Sequence, residues 1–105
     1  MKKNRILQIE LKIGQIKEEL GKIGPLRPGS LTRQYKNPQK GKGSYWQISY
    51  TRKMKSYTSY VRREDVAEVR RQIAAYKKFK RLVEQWIDLG IELSSLKIQI
   101  DKNNV

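Results

Sequence analysis

Apolar residues at the start of this chain recur at one spacing. Ile6, Ile9, Ile13, Ile16, Leu20 and Ile23 follow steps of 3, 4, 3, 4, 3. Those steps put them on one side of a helix, as an a/d heptad seam. The pattern predicts a helix over 2–23, stopped by Gly24 with Pro25 behind it. The last third of the chain repeats the pattern for longer. Phe79, Leu82, Trp86, Leu89, Leu93, Leu96 and Ile100 step by 3, 4, 3, 4, 3, 4, and Val66, Val69, Ile73 and Tyr76 extend the stripe upstream. One helix over 64–101 is predicted, roughly 55 Å long at the usual rise per residue. Glu64, Asp65 and Glu68 lie in its first turns, where acids suit the helix dipole. Two seams of matching length predict an antiparallel helical hairpin. The alternative is that each seam pairs between two chains, and added homodimer contacts through the coiled coil are compatible with the hairpin.

Between the helices the period changes. SYWQISY and KSYTSYV alternate with a two-residue period and are rich in aromatic and β-branched residues, which predicts a β-hairpin over 45–61. With its turn at Thr51 to Met54, Tyr50 faces Lys55, Ile48 faces Tyr57 and Trp46 faces Ser59. Trp46, Ile48, Tyr50 and Tyr57 then share a face that can pack on Val66, Val69, Ile73 and Tyr76, leaving Gln47, Ser49, Ser56 and Thr58 on the other. Residues 24–44 read as a basic loop. Pro28-Gly29 marks a turn, Lys40-Gly41-Lys42-Gly43 a flexible stretch, and Ser30 to Gln34 one short helical turn. The expected fold class is α+β, mainly α. It is an antiparallel coiled-coil helical hairpin carrying a basic β-hairpin head, in a single domain of 105 residues.

Composition narrows the chemistry. The chain has neither Cys nor His, so thiolate metal sites, disulfides and the commonest general base are all missing. Glu84, Asp88 and Glu92 form an i, i+4, i+8 row that reads as the solvated face of a coiled coil rather than a cation site. Gly41-Lys42-Gly43-Ser44 lacks the glycine that a phosphate-binding Walker loop requires five residues before its Gly-Lys pair, because position 36 is Lys. No catalytic residue, cofactor or metal is expected, and the chain does not read as an enzyme. No apolar run is long enough to span a membrane, and the basic opening lacks a signal-peptide cleavage site, so a cytoplasmic protein is expected.

Charge points to a partner. The net charge is +14. Between Gly21 and Arg63 there are eleven Lys or Arg residues and no Asp or Glu. The candidate nucleic-acid contacts are Arg33, Lys36, Lys40 and Lys42 in the loop, Gln47, Arg52, Lys53 and Lys55 on the hairpin, and Arg62, Arg63, Arg70, Arg71, Lys77 and Lys78 along the long helix. Lys and Arg neutralise phosphates without reading sequence. A ribbon offering Gln47 and hydroxyls can enter a DNA major groove. Trp46, Tyr57 or Tyr60 can either stack on unpaired bases or belong to the core.

The strings RPGSLTRQY, SYWQISY, KSYTSYV and REDVAEVRRQIAAYKKFKRLVE, spanning about Arg27 to Glu84, resemble a small, poorly characterised prokaryotic domain family found with transposase-like genes on mobile elements. Members of that family often carry cysteines in the loop before the hairpin; Lys36 to Ser44 has none, which argues against a metal-ordered loop here. The resemblance implies a mobile-DNA or phage setting and supplies no catalytic residue. Three classes of function stand open at this point. The first is a non-enzymatic accessory protein on duplex DNA. The second binds RNA or a ribonucleoprotein. The third is a protein-interaction factor that regulates a nuclease or transposase, or a protein partner within a nucleoprotein complex.

Overall fold

The computed structural model describes residues 2–37 and 42–103. Its elements run α1 (Lys2–Gly21), β1 (Ser30–Asn37), β2 (Lys42–Arg52), β3 (Lys55–Val61), a 3-10 turn (Arg63–Asp65) and α2 (Val66–Asn103). The fold is α+β and mainly helical. The chain divides into two compact units, one formed by 1–23 with 78–105 and the other by 24–77, with α2 contributing to both.

The helical unit follows the seams. Ile9, Ile13, Ile16 and Leu82 are buried, and most other seam positions are half-buried. Three ion pairs give the direction of packing. Arg5 bridges Glu92 at 2.6 Å, Glu10 bridges Lys97 at 3.4 Å and Glu19 bridges Lys78 at 2.8 Å. Early residues of α1 therefore meet late residues of α2, and the two helices are antiparallel within one chain. Helix α1 stops two residues before the predicted end. Its last turn tightens, with the Lys22 and Ile23 amides donating to the Glu19 and Leu20 carbonyls.

The other unit differs from the sequence reading. The predicted loop over 24–44 contains a strand, and the short helical turn at Ser30 to Gln34 is part of it. The physical reason lies in Leu31, Arg33 and Tyr35, which alternate with Ser30, Thr32 and Gln34. That two-residue period lets Leu31 pair with Ile48, Arg33 with Trp46 and Tyr35 with Ser44. The hairpin thereby supplies two of the three strands of an antiparallel sheet in the order β1-β2-β3. The third strand relieves the marginal stability of a lone ribbon.

The register of β2 on β3 also differs. Tyr50 pairs with Tyr57 and Arg52 with Lys55, two residues away from the predicted pairing. The turn is a tight one, with Lys53 and Met54 both in the left-handed region at φ 52° and 66°. Neither residue is the Asn or Gly that announces such a turn, so the pattern alone left its position free. A slip of two preserves the faces. Ile48, Val61 and Ile73 are buried together, with Leu31, Trp46, Val66 and Val69 packed around them. One face of the sheet thus lies against the start of α2, and the other is open.

Candidate nucleic-acid interface

The register fixes what the open face carries. Ser30, Thr32 and Gln34 of β1 lie beside Ser49, Gln47 and Tyr45 of β2. Thr58, Tyr60 and Ser56 of β3 lie beside Ser49, Gln47 and Thr51. Every one of these ten side chains can hydrogen-bond, and none is charged. Gln47 sits at the centre, half-buried between Thr32 and Tyr60. Some hydroxyls satisfy each other across strands, Ser49 with Thr58 at 3.2 Å and Thr51 with Ser56 at 3.4 Å. A hydroxyl in such a pair keeps further acceptor capacity.

Cations cluster at the strand ends. Lys36 lies near the end of β1 and is exposed. Arg52, Lys53 and Lys55 surround the β2–β3 turn, and Arg63 follows β3, all exposed. Among the described residues none of these five makes an ion pair. Arg33 donates to Ser44 Oγ at 3.1 Å and lies over the Tyr35 ring. Arg33 and Arg63 also line one cleft of about 310 Å³ with Tyr45, Trp46 and Tyr60.

Other predicted contacts are engaged locally. Arg62 binds Asp65 at 2.8 Å, and this hydrogen bond and charge hold its guanidinium above the ordinary value. Arg71 donates twice to Glu68, which with Gln72 keeps that carboxylate below its usual range. Lys78 pairs with Glu19 and belongs to the helical unit. Arg70 lies over Trp46 at 5.1 Å, so part of its role is to cover that ring. Arg70 and Lys77 are one heptad apart on α2 and flank a second cleft beside Gly29 to Leu31. Lys40 and the side chain of Lys42 lie outside the described residues.

The aromatics divide in a way composition could not reveal. Tyr50 stacks on Tyr57 at 5.1 Å, and Arg27 lies over Tyr50 at 5.3 Å. The Arg27 amide also donates to the Gln72 carbonyl, which ties this segment to α2. Tyr57 and Trp46 therefore sit on the helix-covered side of the sheet, whereas Tyr45 and Tyr60 sit on the open face. Ser30, Thr32, Gln34, Tyr45 and Thr51 are the site residues that sequence reasoning missed. The signal was the alternation in SLTRQY, overshadowed by Pro28-Gly29 before it and the glycine-lysine stretch after it.

Among the described residues there is no group of three or more acidic side chains placed to hold a metal ion, and no helix is long and apolar enough to cross a membrane. No known protein family, curated protein or solved structure matches the chain.

Proposed function

We propose that this chain is a non-enzymatic nucleic-acid-binding accessory protein that lays the open face of its sheet on duplex DNA. The observation that carries this reading is the face itself. Ten neutral hydrogen-bonding side chains form it, and exposed cations that have no ion pair among the described residues stand at the ends of its strands. Neutral donors and acceptors suit base edges, and strand-end cations suit the phosphates on either side. Three strands about 4.8 Å apart span roughly 10 Å of backbone, which is comparable to the width of the major groove. The resemblance of Arg27 to Glu84 to a family found beside transposase-like genes supports a mobile-element or phage setting.

A second reading has its own observation. Tyr60 is 67% exposed on the open face beside Gln47, where it can stack on an unpaired base of RNA or single-stranded DNA. One experiment separates the two. Duplex DNA, single-stranded DNA and RNA compete for the labelled chain at fixed salt, with wild type, Gln47→Ala and Tyr60→Ala. The duplex reading expects duplex to compete best. On a selected site, Gln47→Ala costs about 1–3 kcal/mol of discrimination against a scrambled sequence, with non-specific binding unchanged. Preference for RNA or single strands, lost in Tyr60→Ala, moves the function to the second reading. Absence of binding to all three leaves docking of the basic surface on a protein, as a regulator of a nuclease or transposase.

A further inference from the structure

The sheet has a notch at one corner. Strand β3 ends at Val61, opposite Trp46, whereas β2 runs on to Lys42 and is paired there with β1 alone. After Val61 the chain turns away into the 3-10 turn at Arg63–Asp65. Beside Ser44 and Tyr45, which β3 does not reach, lies the cleft of about 310 Å³. Its lining combines two chemistries. Tyr45, Trp46 and Tyr60 are aromatic, and Arg33 and Arg63 are cationic. The Arg33 bond to Ser44 Oγ carries that guanidinium across to the part of β2 beyond the end of β3. One N–H serves this bond, and the guanidinium has others to offer. Among the described residues neither arginine makes an ion pair. The acids nearest in sequence, Glu64 and Asp65, both pair with Arg62, and neither lines the cleft. Two arginines with no carboxylate beside them select an anion, phosphate above all. Tyr60 is 67% exposed and offers a face on which a planar ring can stack.

A nucleotide uses both chemistries at once. The cleft lies at the low end of ligand-pocket volumes, so it has room for one nucleotide rather than several. It shares Tyr45 and Tyr60 with the open face, where they stand beside Gln34 and Gln47. A base at this corner also meets a strand edge with no neighbour, whose main-chain N–H and C=O groups can bond a base edge. We propose that the cleft holds one unpaired nucleotide, its base on Tyr60 and its phosphate on Arg33 and Arg63, so that the protein prefers a duplex with an unpaired end to a blunt one. This inference rests on the duplex reading of the open face and adds the kind of end that the duplex carries. Paired DNA lies on the hydroxyl-rich face, and the first unpaired nucleotide turns into the corner.

The test compares a blunt duplex with G·C ends and the same duplex carrying a 5′ or a 3′ overhang, by fluorescence anisotropy at fixed salt. One overhanging form binds about 10-fold tighter than the blunt form. Tyr60→Ala and Arg63→Gln each bring that ratio to unity. Arg63→Gln keeps the circular dichroism of wild type, since Arg63 is exposed. Lys3→Gln with Lys12→Gln removes cations of the helical unit and keeps the ratio. A second measurement uses the Trp86→Phe chain, whose only remaining tryptophan is Trp46. Adenosine 5′-monophosphate quenches its fluorescence saturably, and adenosine or inorganic phosphate alone binds at least ~10-fold more weakly. Arg33→Gln weakens the monophosphate and leaves adenosine unchanged. Equal affinity for blunt and overhanging duplexes overturns the proposal and leaves the duplex reading standing. Absence of binding to either duplex defeats that reading and, with it, the inference built on it. Phenyl phosphate that quenches Trp46 as strongly as the nucleotide also overturns the proposal, and assigns the cleft to a phosphotyrosine of a protein partner.

Discussion

At the scale of single residues, Gly29 has the narrowest tolerance. Its φ of 143° is one that side chains rarely adopt, and an added Cβ would lie 2.7 Å from Ile48 Cγ1 and 2.8 Å from Cδ1. Ile48 is 1% exposed and has nowhere to move. Gly29→Ala therefore combines backbone strain with overpacking and should cost about 2 kcal/mol or more. Urea unfolding checks this, and a loss below about 0.5 kcal/mol would mean that the approach to β2 is looser than described. The pair Pro28-Gly29 was legible as a turn, but the reason for the glycine was not, because it depends on a residue nineteen positions away. The same holds for the arginines. Arg27 and Arg70 look like their neighbours in sequence, yet each covers a ring, Tyr50 and Trp46 respectively. Counting cations overstates a phosphate-binding surface wherever aromatics are interleaved with them.

Among the elements, the helices were the easiest to read. Steps of three and four sustained over several turns match the helical period and no strand period, and the buried positions fall on the predicted seam. Strand β1 was not read, because its eight residues, set between a Pro-Gly turn and a glycine-lysine stretch, carry too few alternations to outweigh their flanks. The hairpin faces survived a two-residue error in register because side chains alternate with period two. Ion pairs between α1 and α2 were beyond reach, since periodicity fixes a seam but not which charges flank it. Those pairs make a pH prediction. Hydrogen bonds from Lys78 and Arg5, together with their charges, hold the Glu19 and Glu92 carboxylates below the ordinary value of 4.5. A carboxylate depressed in the folded state stabilises it when ionised. That contribution is complete above the ordinary value and disappears as pH falls through the folded one. The urea midpoint of wild type should therefore fall as pH drops below about 4.5. The double variant Glu19→Gln, Glu92→Gln should have a flatter profile over the same range. Both pairs are solvent-exposed, so the effect is small and fades with salt. A double variant as acid-sensitive as wild type would assign the loss to other carboxylates.

Over the whole molecule, charge is unevenly divided. Residues 24–77 hold thirteen Lys or Arg and three acids, whereas the segments of the helical unit hold eleven and seven. Unequal charge alone does not prove a site, because any +14 protein attracts a polyanion. A site differs from diffuse attraction in that particular cations displace particular counterions, so position matters as well as number. Two variants with the same loss of charge separate the cases. The first replaces Arg52, Lys53, Lys55 and Arg63 with Gln, all exposed at the strand ends of the sheet unit. The second replaces Lys3, Lys12, Lys22 and Lys102, all exposed in the helical unit. None of the eight makes an ion pair among the described residues, so neither set removes a stabilising bridge. The plot of log affinity against log salt should flatten by about 0.9 for each lost phosphate contact in the first variant, and change little in the second. Duplex affinity at low salt should fall only in the first. Matching losses in the two would reduce the interface to overall charge. A flattened slope confined to the second would move nucleic-acid binding onto the helices and leave the hydroxyl-rich sheet face for another partner.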